Sequence, residues 1–328
     1  MKFLVTGGLG FIGHAVVRVL EQLEHSVVIT DTRTGYGIIP QEEIDYLVDQ
    51  RRQCIATDRI HAIDITDQDG IDWLFRTYDF DCVIHLASFP RQKVVNQFPQ
   101  AGSRAMSEGL LNLLEASVKH DINKFVYVSS SMVYGDFLEE TFEGGMDESH
   151  PTRPIGQYGI MKLAGEWLVK DYARRTGINY TIIRPSAVYG PLDIEDRVVS
   201  KFLLNAIRGQ SVSVNGAEEE LDFTYVDDAA MGIACASIED IANNQTYNIT
   251  RGRSRTLLKA AELAVQIAGQ GRVEVNNRDK NFPSRGQLNI TQAYKDFGFQ
   301  PKVDIEEGFK RYYDWLTEHS IYWSQKTV

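Results

Sequence analysis

Apolar residues along this chain fall into two kinds of run that alternate. Six short stretches are near-continuously apolar and rich in β-branched residues: KFLVT (2–6), SVVIT (26–30), RIHAID (59–64), CVIHLA (82–87), KFVYVSS (124–130) and YTIIRPS (180–186). A half-exposed strand would alternate, so these read as strands covered on both faces. Between them, GHAVVRVLEQL (13–23), GLLNLLEASVKH (109–120) and KLAGEWLVKDYARR (162–175) repeat apolar positions at helical spacing. Strand–helix alternation of this kind predicts an α/β fold built on a doubly wound parallel sheet.

The rhythm changes near Pro191. Residues 191–222 read as a helix followed by a polar hairpin, and 251–328 as mostly helical with short extended pieces. TYNIT (246–250) is expected to return a strand to the sheet. The expected division is a sheet domain over 1–190, rejoined by 223–250, with 191–222 and 251–328 forming a smaller, intertwined α+β lobe for substrate.

Composition narrows the class. The 328 residues are 43% hydrophobic and 24% charged, ordinary for a globular enzyme. A net charge of −11 argues against a nucleic-acid partner, which would need a broad basic face. Cys54, Cys82 and Cys235 are odd in number and far apart, with no CxxC pair. They read as buried thiols in a reducing compartment, with no metal or disulfide role. The chain opens straight into a strand, with no secretory leader pattern, and no apolar run reaches the ~20 residues of a membrane span. A cytoplasmic protein without a membrane partner is expected.

The first candidate chemistry is the loop TGGLGFIG, whose Gly8, Gly10 and Gly13 give GxGxxG directly after the first strand and at the start of the first helix. In that setting glycines allow a tight turn and close backbone approach to a pyrophosphate at a helix N-terminus. Gly7, Gly8, Gly10, Phe11, Ile12 and Gly13 are therefore cofactor-binding candidates in a Rossmann domain. Asp31 ends the second strand, where a carboxylate accepts from an adenosine ribose and repels a 2′-phosphate. This favours NAD over NADP, although Arg33 keeps the phosphorylated form open. Asp64 and Ile65 could border the adenine, or Asp64 could simply form the DITD turn.

Tyr158 and Lys162 lie four apart in QYGIMK, on one face of a helix. A lysine cation beside a phenol of pKa near ~10 would stabilise phenolate and make Tyr158 a usable base. Lys162 can also hold a nicotinamide ribose.

With these residues in place, the chain resembles the extended short-chain dehydrogenase/reductases that act on nucleotide sugars. TGGLGFIG, HLAS (85–88), SSSMVYG (129–135), YGIMK, RPSAVYGP (184–191) and LDFTYVDDAA (221–230) follow that family's order. The resemblance implies NAD, contacts to it from Leu86, Ala87, Ser88 and Pro185, and a catalytic set of Ser130, Tyr158 and Lys162. It puts Ser131 and Met132 where dehydratases carry an aspartate–glutamate pair and decarboxylases a glutamate. A thioether neither gives nor takes a proton, so both chemistries lose their acid–base partner. The implied activity is epimerisation of a nucleotide-diphosphate sugar at C4 through a transient 4-keto sugar. The alternatives are a dehydrogenase or reductase that releases its product, and a non-catalytic dinucleotide-binding protein.

Three departures stand on the substrate side: Ala187 and Met106 replace asparagines, and Leu221 replaces a pyrophosphate-binding arginine. Arg197 and Lys201, in EDRVVSKF (195–202), and Arg285, in FPSRGQLN (282–289), are the diphosphate candidates. Arg91 and Lys93, in SFPRQKVV (88–95), would face the sugar and could accept a carboxylate. His85 reads as a core histidine, Tyr134 as packing, and DDAA (227–230) as a helix cap. The resemblance also implies a homodimer through 109–120 and the helix carrying Tyr158.

Overall fold

The apolar runs form the strands of the main sheet because neither face of that sheet meets water. In the computed structural model, which describes residues 1–35, 40–89, 91–137, 144–194, 196–280 and 282–319, the strands are Lys2–Thr6 (β1), Ser26–Thr30 (β2), Ile60–His61 (β3), Cys82–His85 (β4), Lys124–Val128 (β5), Asn179–Pro185 (β6), Val188–Tyr189 (β7), Ser211–Asn215 (β8), Glu220–Asp222 (β9), Thr224–Tyr225 (β10), Gln245–Ile249 (β11), Ser254–Thr256 (β12) and Arg272–Asn276 (β13). Seven of them make one parallel sheet in the order β3–β2–β1–β4–β5–β6–β11. The order reverses between β1 and β4, and a crevice forms there outside the carboxyl ends of the strands.

The helices are Phe11–Gln22 (α1), Gln41–Gln53 (α2), Gln68–Thr77 (α3), Gln92–Gln97 (α4), Pro99–Ser103 (α5), Gly109–Lys119 (α6), Gln157–Thr176 (α7), Val198–Ile207 (α8), Val226–Ile238 (α9), Leu257–Ala268 (α10), Thr291–Phe297 (α11) and Ile305–Glu318 (α12). Phe3 and Val5 pack with Val16 of α1 and Ile233 of α9 on one face of the sheet. Leu4, between them, packs with Leu74 of α3 and Leu113 of α6 on the other. A separate core joins Phe202 of α8, Ala261 of α10 and Phe309 of α12 over β8. No helix among the described residues is long and apolar enough to cross a membrane.

Four local expectations are corrected. The strand expected over 59–64 shrinks to Ile60–His61 at the sheet edge, where Thr30 Oγ1 caps the His61 and Ile63 carbonyls. The polar hairpin expected within 191–222 does not form. β8 runs parallel to β13 and β9 antiparallel to β12, because Val212 and Val214 are drawn into the lobe core while Ser211 and Ser213 bond to Glu274 and Asn276. Asp227 and Asp228 do not cap α9 but lie in its first turn. Asp228 instead accepts the Lys302 and Val303 N–H groups, both at 2.9 Å, and so anchors the chain just before α12. Of the three thiols only Cys82 is buried; Cys54, closing α2, and Cys235, on α9, are half-buried. The helical expectation for 251–328 reaches α12; residues 320–328 lie outside the described ones.

Candidate active site

The glycine loop is shaped by close backbone contact. Gly7 stands at φ +70°, and a Cβ there would lie 2.8 Å from the Ala87 nitrogen. Gly13, in the first turn of α1, would carry a Cβ only 2.0 Å from the Gly7 carbonyl oxygen. With no acidic residue in that turn, the positive end of α1 is left available to an anion. Gly7, Gly10, Phe11, Ile12 and Gly13 line a cleft of about 1190 Å³. Gly8 does not line it. A Cβ on Gly8 would run 2.7 Å into Ile29, so this glycine lets the loop pack on β2 rather than touch a ligand.

Asp31, Asp64, Ile65, Leu86, Ala87, Ser88 and Pro185 line the same cleft. The Asp31 carboxylate accepts the Leu9 N–H at 3.0 Å and the Arg33 N–H at 2.8 Å. Burial raises its pKa while those two bonds oppose the rise, and each oxygen keeps acceptor capacity for a ribose. Asp64 Oδ1 accepts both the N–H and the hydroxyl of Thr66 at 2.8 Å, which makes it a turn former as well as a wall. A tight glycine cradle, a free helix N-terminus and an acceptor at the end of β2 together fit a dinucleotide.

The SSS stretch now divides by neighbour. Ser129 leaves β5 and donates to buried Glu166 at 2.6 Å, and Glu166 also holds Arg184 at 2.7 Å. Ser130 faces the cleft, and its Oγ accepts the Met132 N–H at 3.2 Å, opening a short turn over Ser131–Val133. Ser131 and Met132 are buried in the cleft wall. Tyr134 is packing: its hydroxyl lies between Asn248 at 2.8 Å and Arg184 at 3.0 Å. His85 is a core histidine, 2.8 Å from Thr6 Oγ1, and burial lowers its pKa to about 3, so it is neutral.

Tyr158 and Lys162 sit one turn apart at the start of α7 and both line the cleft. The Lys162 Nζ donates to the Val128 carbonyl at 2.8 Å and lies 5.9 Å from the Tyr158 ring centre. Burial lowers Lys162 to about 7, with Glu166 opposing. Burial also pushes the Tyr158 phenol up, and what pulls it back is the Arg197 cation and a hydrogen bond with Ser130. Arg197, just before α8, is thus a second cation beside the phenol that sequence reading did not assign to it.

The other half of the cleft is cationic. Arg91, Lys93, Arg197, Lys201 and Arg285 all line it. Leu221 and Ala187 line it too, the latter at φ 35°, a left-handed conformation that asparagine adopts more readily than alanine. Met106 instead packs with Phe89 and Val95 in a small core that the Tyr158 ring also touches. Burial lowers Arg285 to about 10, with Glu219 opposing. Sequence reading missed Asp193, Asp196, Glu219 and Arg278, which line the cleft as well. Glu219 pairs with Arg278 at 2.9 Å, and Asp196 with Arg91 at 2.6 Å. The signal available for Asp196 was its place in the acidic run DIED directly before Arg197. Among the described residues no cluster of His, Cys, Asp or Glu is placed to hold a metal ion.

Asp193 carries a pH expectation. Burial lifts its carboxyl to about 6 against the pull of Arg197, the Ile194 N–H, Arg51 and Arg91, and its Oδ2 has no hydrogen-bond partner. An acid raised on folding binds protons more tightly in the native state. Its contribution is therefore full below the unfolded value and is lost as pH climbs through the folded one. Urea unfolding should show Asp193→Asn gaining about 2 kcal/mol on the parent between pH 4 and pH 7. A difference that stays flat across that range would contradict the assignment.

Comparison with known proteins follows from this geometry. Residues 3–250 match the pattern of the NAD dependent epimerase/dehydratase family. The chain belongs to that family. It is 30% identical to a putative UDP-glucose 4-epimerase of Methanocaldococcus jannaschii, over 97% of this chain and 99% of that one. The UDP-glucose 4-epimerase of Thermotoga maritima, solved with UDP-glucose, superposes with a TM-score of 0.85 at 27% identity, covering 98% and 100% of the two chains. A UDP-glucuronic acid 4-epimerase of Bacillus cereus, solved with UDP-glucuronic acid and NAD, gives 0.87 at 25% identity, covering 97% and 100%. As a member of this NAD-dependent epimerase/dehydratase family, the chain has a Rossmann sheet and a nucleotide-sugar enzyme's cleft.

Proposed function

We propose that this protein is an NAD-dependent epimerase that inverts C4 of a nucleotide-diphosphate sugar. The observation that carries the reading is the wall around Tyr158. Ser130, Tyr158 and Lys162 share one cleft with a buried methionine, Met132, at the position where the resemblance puts a dehydratase's glutamate. The cleft also exceeds the ~300–1,000 Å³ of a single-ligand pocket, which suits a cofactor and a substrate side by side.

NAD, when bound along Gly7 to Gly13, Asp31 and Pro185, would supply a reversible acceptor for the hydrogen on C4. Tyr158 takes the proton of the C4 hydroxyl and later returns it. The Ser130 hydroxyl donates to the C4 oxygen and holds it against the phenol. Met132 can neither take the C5 proton nor protonate the C6 hydroxyl, so the 4-keto sugar has no exit by water loss there. Lys162, anchored to Val128, fixes the depth of the nicotinamide ribose. Residues 191–222 and 251–319, apart from α11 on the sheet, form the lobe that holds the nucleotide diphosphate, with Arg285 as its cation.

The test is incubation of the NAD-loaded protein with UDP- and dTDP-hexoses in deuterated water, followed by NMR. The expected result is the C4 epimer without deuterium at C4. Net accumulation of NADH, or unchanged C4 across the panel, would reject it.

A cytoplasmic homodimer completes the proposal. The three cysteines stand as free thiols, which suits a reducing compartment. α6 packs beside α7, and α7 leaves Ile160 and Trp167 exposed, seven residues apart and so on one face. Light scattering at micromolar concentration should give a dimer that Trp167→Glu converts to monomer; a monomeric parent protein would refute it.

A further inference from the structure

The sugar end of the cleft concentrates positive charge in a protein whose net charge is −11. Four cations, Arg91, Lys93, Arg197 and Lys201, face two carboxylates there, Asp193 and Asp196. Three of the cations converge on one side chain. Asp196 takes Arg91 Nη1 at 2.6 Å on Oδ2 and Lys201 Nζ at 2.7 Å on Oδ1, with Lys93 Nζ 3.5 Å from both oxygens. Arg197 lies 3.8 Å from Asp193 Oδ1.

This arrangement leaves donors unsatisfied. The Nε atoms of Arg91 and Arg197 are buried and hydrogen-bond to nothing among the described residues, a costly state for a charged donor. Arg91 also holds φ 73°, a strained left-handed conformation for a non-glycine residue that recurs at ligand clamps. Asp196 itself is 17% exposed at the cleft wall, so it is within reach of competition. The position is close to the reacting carbon. Gln92, next to Arg91, packs where a Cβ on Gly156 would fall, two residues before Tyr158, and the Arg197 cation acts on the Tyr158 phenol itself.

We infer that this end of the cleft takes a hexose bearing a carboxylate, which binds Arg91, Arg197 and Lys201 by displacing the Asp196 side chain. Asp196 is an internal stand-in for the substrate's own acid group. Guanidinium forks match a carboxylate with two parallel bonds, so the substrate's acid can take over the pairing that Asp196 now supplies. A neutral hexose offers no acid to replace Asp196. The inference rests on the nucleotide-sugar reading of the cleft.

Calorimetry on the NAD-loaded protein, with the UDP and dTDP forms of glucose and of glucuronate, tests it. The uronate is expected to bind about tenfold or more tightly than glucose on the preferred nucleotide. Arg91→Gln and the half-exposed Lys201→Ala should each shrink that ratio toward one, and Asp196→Asn should widen it several-fold. Equal affinities in the parent protein, absence of binding by all four ligands, or variants that weaken both sugars alike would overturn the inference. Turnover separates the two claims. A preferred uronate that is bound and never inverted at C4 would sink the epimerase reading alone. Inversion of glucose with no preference for the uronate would sink this inference alone.

Discussion

Tyr158→Phe is expected to lower turnover about 10³-fold while leaving the fold and the bound dinucleotide in place. The substitution removes one oxygen from a half-buried ring that stays packed against Met106 and its neighbours. Positioned proton transfer contributes about 10²–10⁴ to a rate, and the groups packed nearest the phenol do not replace it. His85 is buried away from the cleft and neutral, and Met132 has no proton. Lys162 is committed to the Val128 carbonyl. Stopped-time NMR of sugar inversion, with circular dichroism and NAD content as controls, measures the effect. A variant within tenfold of the parent would rule out the phenol as the proton carrier.

Gly13→Ala should be the most damaging single methyl in the glycine loop. The new Cβ would sit 2.0 Å from the Gly7 carbonyl oxygen, and both partners are backbone, so neither can rotate away. Either α1 retreats from the sheet or the Gly7 carbonyl is pushed into the cleft. Overpacking of this kind costs about 1–3 kcal/mol or more, and the second outcome removes the anion cradle outright. Thermal melts with and without NAD should show both losses. The parent gains about 2.7 kcal/mol when NAD is at a hundredfold its Kd, and the variant is expected to melt lower and gain nothing. A variant that still responds to NAD would mean that the loop relaxes in a way the packing gives no room for.

What could be read from the chain alone follows the range of the interactions. β1, β2, β4, β5 and β6 were legible because burial on both faces leaves an unbroken apolar run, whatever the strand order. Tyr158 and Lys162 could be set on one face because they lie four apart on a helix, whereas Ser130 came from the resemblance; the structure brings all three to one cleft. The partners of β8 were not legible, since the choice of β13 over β9 depends on a lobe core assembled from α8, α10 and α12. Gly8 was misplaced for a related reason: its neighbour is Ile29 on the next strand, not the loop it belongs to. The part Arg197 plays at Tyr158 was not legible, because the two lie far apart along the chain and meet only across the cleft. Asp196 escaped notice because an acid in a mixed charged stretch looks like surface until Arg91 arrives from a distant part of the chain.

The path of the chain between sheet and lobe has an engineering consequence. After β6 it enters the lobe, comes back for α9 and β11, leaves for β12 and α10, returns for α11, and finishes with α12 in the lobe. No single cut can excise the specificity half as a cassette. A chimera that borrows a relative's sugar preference must exchange 191–222, β12 to β13 and α12 together and keep the host's 223–250 and α11, whose Phe297 packs on Tyr247. Otherwise Tyr247 and Ile249, both fully enclosed here, lose their seat and β6 becomes a bare edge ready to recruit another chain.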